Sequence, residues 1–173
     1  MANTYEAIAT VTVGSGGAAT IEFTSIPATY TDLLLLTSLR GDRSGVTQAV
    51  SLIVNGSTTT YTHKYIRGDG SSVISFTGGS GWMNPGQATA ATSTSNTFSN
   101  GKIYIPNYAS SNNKSFSFED VSENNGTEAY ATLGVGVWSN ASAITSIELG
   151  QRDYGSLKFV QYSTATLYGI KNS

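Results

Sequence analysis

The tripeptide Arg-Gly-Asp occurs twice in this chain of 173 residues, at Arg40-Gly41-Asp42 and at Arg67-Gly68-Asp69. Shown on an exposed loop of an extracellular animal protein, it would be the chemistry of integrin adhesion. Here each copy follows a strand-like run and enters a Gly/Ser turn. In such a turn Gly relaxes the backbone, Asp caps it and Arg leaves the sheet for water, so turn chemistry accounts for both copies. Adhesion is not expected.

His63 is the sole histidine. A Ser-His-Asp arrangement or a histidine metal site would rest on it alone, with no nucleophile elbow and no His-x-x-x-His spacing nearby. The expectation is a strand-face histidine between Tyr61 and Tyr65, and a protein that is not an enzyme. Glu119, Asp120, Glu123 and Glu128 form the one acidic cluster. They lack the alternating Asp/Asn and Gly pattern of a calcium loop and read as a solvated turn. No metal and no cofactor is expected. The chain is rich in Tyr, Trp and Asn, which would suit carbohydrate recognition, since aromatic faces stack on sugars while amides read hydroxyls. Tyrosine is equally favoured in strands and at interfaces, so both readings stay open.

The elements that must position these residues are β-strands. Gly 19 and Tyr 10 stand against Pro 3, and Ser, Thr and Asn fill much of the rest, the mixture of strands joined by tight turns. Only 12% of residues are charged and the net charge is -2, too little basic surface for nucleic acid. With no cysteine, disulfides and thiolate metal sites are excluded. The first residues, Met1-Ala2-Asn3-Thr4-Tyr5-Glu6, lack the basic start and apolar run of a secretory signal. No stretch approaches the ~20 apolar residues of a membrane span. A soluble chain with no membrane partner is expected, as one domain over 1–173.

Residues 5–13 alternate, turn at Gly14-Ser15-Gly16-Gly17 and lead into 19–25, which predicts an opening hairpin. Leu33-Leu34-Leu35-Leu36 is apolar on both faces and predicts a central strand covered on each side, with a buried helix as the rival reading. Residues 46–54 end at Asn55-Gly56, the strongest short turn dipeptide, and predict a hairpin with 61–67. Strands are also expected at 102–108, 115–121, 129–138, 144–149 and 164–170. In Leu133-Gly134-Val135-Gly136-Val137-Trp138, glycines inside a strand point to close approach by another backbone or a bulky ring. Residues 78–100, rich in Gly, Ser, Thr and Ala and without a period, read as a long exposed arm. Trp82 and Met83 would be its partner-contacting anchor. The sum is an all-β, antiparallel β-sandwich of about ten strands, jelly-roll-like.

Five segments carry a resemblance: Tyr5-Glu6-Ala7-Ile8-Ala9-Thr10; Ile26-Pro27-Ala28-Thr29-Tyr30-Thr31-Asp32-Leu33; Ile103-Tyr104-Ile105-Pro106-Asn107-Tyr108; Gly136-Val137-Trp138-Ser139-Asn140 with Ala143-Ile144-Thr145-Ser146-Ile147; and Thr164-Ala165-Thr166-Leu167-Tyr168-Gly169-Ile170. In this order they resemble small virion proteins of tailed bacteriophages, over nearly the whole chain. The resemblance implies a β-sandwich subunit on the outside of the particle, made in the host cytoplasm, with no site residues to carry over. It would serve as a head decoration (cement) protein or as a tail or fibre component. The expected function is a structural homo-oligomer, a trimer, docked on the major capsid protein or other virion proteins. The alternative is a fibre module binding a host receptor or surface glycan, and a free hydrolase stands last.

Overall fold

A computed structural model describes residues 4–123, 129–151 and 156–171. All regular structure among them is strand, and every ladder is antiparallel. Thirteen strands form, rather than the ten expected: β1 (Tyr5–Thr12), β2 (Ile21–Phe23), β3 (Asp32–Leu39), β4 (Thr47–Ala49), β5 (Ser51–Val54), β6 (Tyr61–Gly68), β7 (Val73–Ser80), β8 (Gln87–Thr89), β9 (Ser99–Ile105), β10 (Lys114–Glu123), β11 (Ala129–Trp138), β12 (Ile147–Gly150) and β13 (Thr164–Ile170). One eight-stranded sheet runs in the order β1-β13-β3-β9-β10-β11-β6-β7. A three-stranded sheet, β2-β12-β5, and a two-stranded one, β4-β8, complete the sandwich. Leu33, Leu35, Ile103, Phe116, Phe118 and Leu167 of the large sheet share one buried cluster with Ile21, Phe23, Leu52, Val54, Ile147 and Leu149 of the smaller one.

Strand alternation decides which face each side chain takes. In β10, Phe116 and Phe118 point inward while Ser115, Ser117, Glu119 and Val121 point out. β11 obeys the same rule with a difference: its inward positions 134 and 136 are glycine. A Cβ on Gly134 would overlap the Phe118 ring, and one on Gly136 would overlap the Met83 sulfur. The strand is thinned there so that two large side chains can fill the space.

Several sequence expectations are corrected. The opening hairpin does not form: β1 pairs with β13, and β2 pairs with β12 in the other sheet. Turn signals mark where the chain reverses but not which sheet receives it. Asn55-Gly56 does turn, with φ of 51° and 63° and a Ser57 N–H to Val54 carbonyl bond of 2.9 Å. The flanking strands still part, β5 to β12 and β6 to β11 and β7, because the Asn55 side chain ties the turn to Ala143, Thr145 and Ser146. β3 is central, between β13 and β9, but only one of its faces is covered; Leu36 lies on the exposed one.

The largest correction concerns 78–100, which is no free arm. Residues 83–90 are buried, with Met83 bridged to Leu52 through bonds of 2.8 and 3.0 Å and Gln87–Thr89 forming β8 against β4. Small side chains there read as loop, but they are what fits a thin strip lying against a sheet. Arg40 secures the next stretch. Rather than leaving the sheet for water, its buried guanidinium donates to the carbonyls of Thr94, Thr97 and Ser93 at 2.9, 2.9 and 3.2 Å.

Gly136→Ala should therefore destabilise the fold by about 1–3 kcal/mol, the cost of overpacking a filled core. Gly14→Ala, which meets open space, is the control. Urea midpoints check this, and equal midpoints for the two variants would contradict the packing.

Candidate functional site

The described residues offer two surfaces, one on each face of the eight-stranded sheet. The outer face carries Leu133 and Val135 of β11 at 59% and 56% exposure, with Ile66 at 52% and Val121 at 49%. Register makes them contiguous. Across the strands the order is Leu36, Lys102, Glu119, Leu133 and Ile66, and the next row pairs Val121 with Ala131 and Gly68 with Val73. Lys102 and Glu119 pair at 3.3 Å on this face, a solvent-exposed contact of small energetic weight. Exposed aliphatic side chains grouped in this way are the makings of an interaction surface.

The inner face continues past the covering sheets at the β6–β7 edge and leaves a cleft there. Alternation aims His63, Tyr65 and Arg67 of β6 into it, and pairing of Tyr65 with Phe76 brings Phe76 of β7 alongside. The segment before β8 adds Trp82 and Asn84. The rings form a wall: Tyr65 and Phe76 are 5.1 Å apart at 23°, His63 and Phe76 5.8 Å at 27°, His63 and Trp82 6.2 Å at 28°. The cleft holds about 560 Å³ and is completed by Arg43, Thr47, Ala49, Gly78, Gly79 and Gln87. His63 is buried and neither ring nitrogen has a hydrogen-bond partner among the described residues. Burial lowers the pKa of its imidazole, which favours the neutral form.

The residues singled out in the sequence separate accordingly. Trp82 is half-buried and lines the cleft, whereas Met83 is wholly buried in the core and is withdrawn as a partner contact. The two belong to one strip, and alternation sends neighbouring side chains opposite ways. His63 does lie between Tyr61 and Tyr65 on a strand face. Phe76, Arg43, Asn84 and Gln87 were missed, since they come from separate segments; the Gly78-Gly79 pair facing His63 and Thr62 was the available signal.

Both Arg-Gly-Asp copies are built into the fold. Asp42 accepts from the Lys158 amide at 2.8 Å. Asp69 accepts from the Ser72 and Ser71 amides at 2.6 and 3.0 Å, and these bonds hold its carboxyl well below the usual range. The acidic cluster is not a turn. Glu119 faces out, Asp120 faces in, and Glu123 accepts from Thr94, while Glu128 lies outside the described residues. Burial pushes the Asp120 carboxyl up to about 6, offset in part by Thr132, the Gln87 amide and Arg67. No family model, characterised protein or solved structure matches the chain.

Asp120 and His63 act oppositely on stability. The native state holds the Asp120 proton more tightly than the unfolded chain, so stability rises as pH falls from about 6 towards 4. The depressed His63 pKa makes stability fall as pH drops below about 6.5. Asp120→Asn should remove the first effect. It should gain about 1–3 kcal/mol at pH 7.5 and be the more acid-sensitive protein between pH 6.5 and 4, as read by urea midpoints. A pH profile equal to the parent's would contradict a buried, raised carboxyl.

Proposed function

We propose that this chain is a non-enzymatic structural subunit of a bacteriophage virion, a decoration or cement protein on the capsid exterior that works as a homo-oligomer. One observation carries the reading: the outer face of the large sheet bears a patch of exposed aliphatic side chains, Leu133, Val135, Ile66 and Val121, uncovered among the described residues. Burying Leu133, Val135, Ile66 and Val121 would each remove branched aliphatic surface from water, worth on the order of 1 kcal/mol or more per side chain. Water is the wrong neighbour for such a face, and another copy supplies the right one. Copies closed around a symmetry axis then multiply weak contacts to a shell, which one small sandwich cannot do alone. The ordered segments that resemble virion proteins support the placement on a particle, with the major capsid protein or another virion protein as the second partner.

The association is apolar, with Lys64, Lys102 and Glu119 the charged groups among the outward β6, β9 and β10 positions. It should therefore depend little on salt. Sedimentation equilibrium at tens of micromolar should give a trimer of the 18.1 kDa chain, and Leu133→Asp should give a folded monomer. A parent protein that runs as a monomer throughout that range, or a Leu133→Asp variant that keeps the parent's mass, would overturn the reading.

A further inference from the structure

The ring-walled cleft lies on the face of the large sheet opposite the apolar one, so association through the outer face leaves it open. Its lining combines three features that select a ligand class. The first is the wall of Tyr65, Phe76 and Trp82. Aromatic faces carry negative electrostatic potential and attract the polarised C–H groups on one side of a sugar ring. The second is His63, 4% exposed, with neither ring nitrogen bonded to any described residue. A buried polar group left in this way costs about 1–3 kcal/mol, a cost that a ligand can relieve. A neutral imidazole presents one donor and one acceptor, and a hydroxyl can answer either. The third is charge: Arg43 and Arg67 line the cleft, and among the described residues no carboxylate lines it, the nearest being Asp120 behind Arg67. Guanidinium groups have the planar fork that suits a carboxylate.

The backbone also makes room for the wall itself. A Cβ on Gly78 would overlap both the Phe76 ring and the His63 ring. Glycine at this point of an edge strand weakens the strand, and what it gains is room for both rings to pack against the backbone. About 560 Å³ falls within the range of small-molecule sites and admits a sugar ring with its neighbours.

We propose that this cleft binds an acidic sugar, a pyranose bearing a carboxylate such as a uronic acid residue of a polysaccharide. Its ring stacks on Tyr65, Phe76 and Trp82, a hydroxyl meets His63, and the carboxylate faces Arg43 and Arg67. The assignment stands independently of the outer face. A protein that stays monomeric can still bind sugar here, and an oligomer without sugar binding fails only this inference.

The test uses the full chain on an array of acidic and neutral oligosaccharides, followed by calorimetry with the best acidic probe, with the neutral sugar of the same linkage and with adenosine monophosphate as comparison. An acidic oligosaccharide should bind, the neutral counterpart should bind at least tenfold more weakly, and raising salt should lower the affinity. Trp82→Ala and Gly78→Val should each weaken binding at least tenfold. Arg43→Gln should lessen the preference for the acidic probe, with circular dichroism confirming the fold because Arg43 also donates to the Thr47 carbonyl at 2.8 Å. No binding across the acidic array, equal affinity for the neutral probe, preference for the nucleotide, or binding unchanged in all three variants would overturn the proposal.

Discussion

Met83 packed against Gly136 is the contact on which the arrangement of both surfaces depends. A side chain at position 136 would occupy the place of the Met83 sulfur, and at position 134 that of the Phe118 ring. With glycine at both, β11 accepts two large groups on its inner side, and the strip that carries Met83 comes to rest against Leu52. The consequences run in both directions along that strip. One residue earlier, Trp82 reaches the His63 ring and closes the aromatic wall. A few residues later, β8 pairs with β4, and the Gln87 amide donates to Asp120 at 3.1 Å. Arg40 then holds 91–97 by its carbonyls, so the cover is fastened at both ends.

The same strand that is thinned inside is rich in aliphatics outside. Gly134 and Gly136 alternate with Leu133, Val135 and Val137, so period-two geometry converts one sequence stretch into a packed inner face and an apolar outer one. A sheet with a wet side would be expected to carry polar residues there. Thr62, Lys64, Ser115 and Ser117 follow that rule, and Leu133, Val135, Ile66 and Val121 break it together, in adjacent register. A local rule broken at neighbouring positions is the physical signature of a surface meant to be covered.

Strand existence was legible wherever alternation was strong. The stretches 129–138 and 164–170 coincide with β11 and β13, and the glycines of β11 announced close approach before any partner was known. Sheet membership was not legible. Asn55-Gly56 fixes a reversal, yet its side-chain bonds to the 143–146 segment, distant in sequence, send the flanking strands apart. The strip 83–90 was misread because Gly, Ala and Thr are common both to mobile loops and to thin layers under a sheet, and composition does not distinguish them. Half of the cleft could be seen in the sequence, as His63 between tyrosines and as the isolated Trp82. Arg43, Phe76, Asn84 and Gln87 join it only through the register of β6 with β7 and the docking of the strip. Arg40 shows the limit most plainly: an arginine in a Gly/Asp turn reads as solvated, and the carbonyls that hold it lie 51 to 57 residues further along the chain.

One face of the sheet sealed by the Met83 strip and the other reserved for a further copy is the central claim. An experimental structure of the assembled protein tests it most directly. The account predicts that Leu133 and Val135 of one copy lie in van der Waals contact with another copy, with the cleft at His63 still open. An assembly joined through other surfaces, with Leu133 and Val135 facing solvent in every copy, would contradict it.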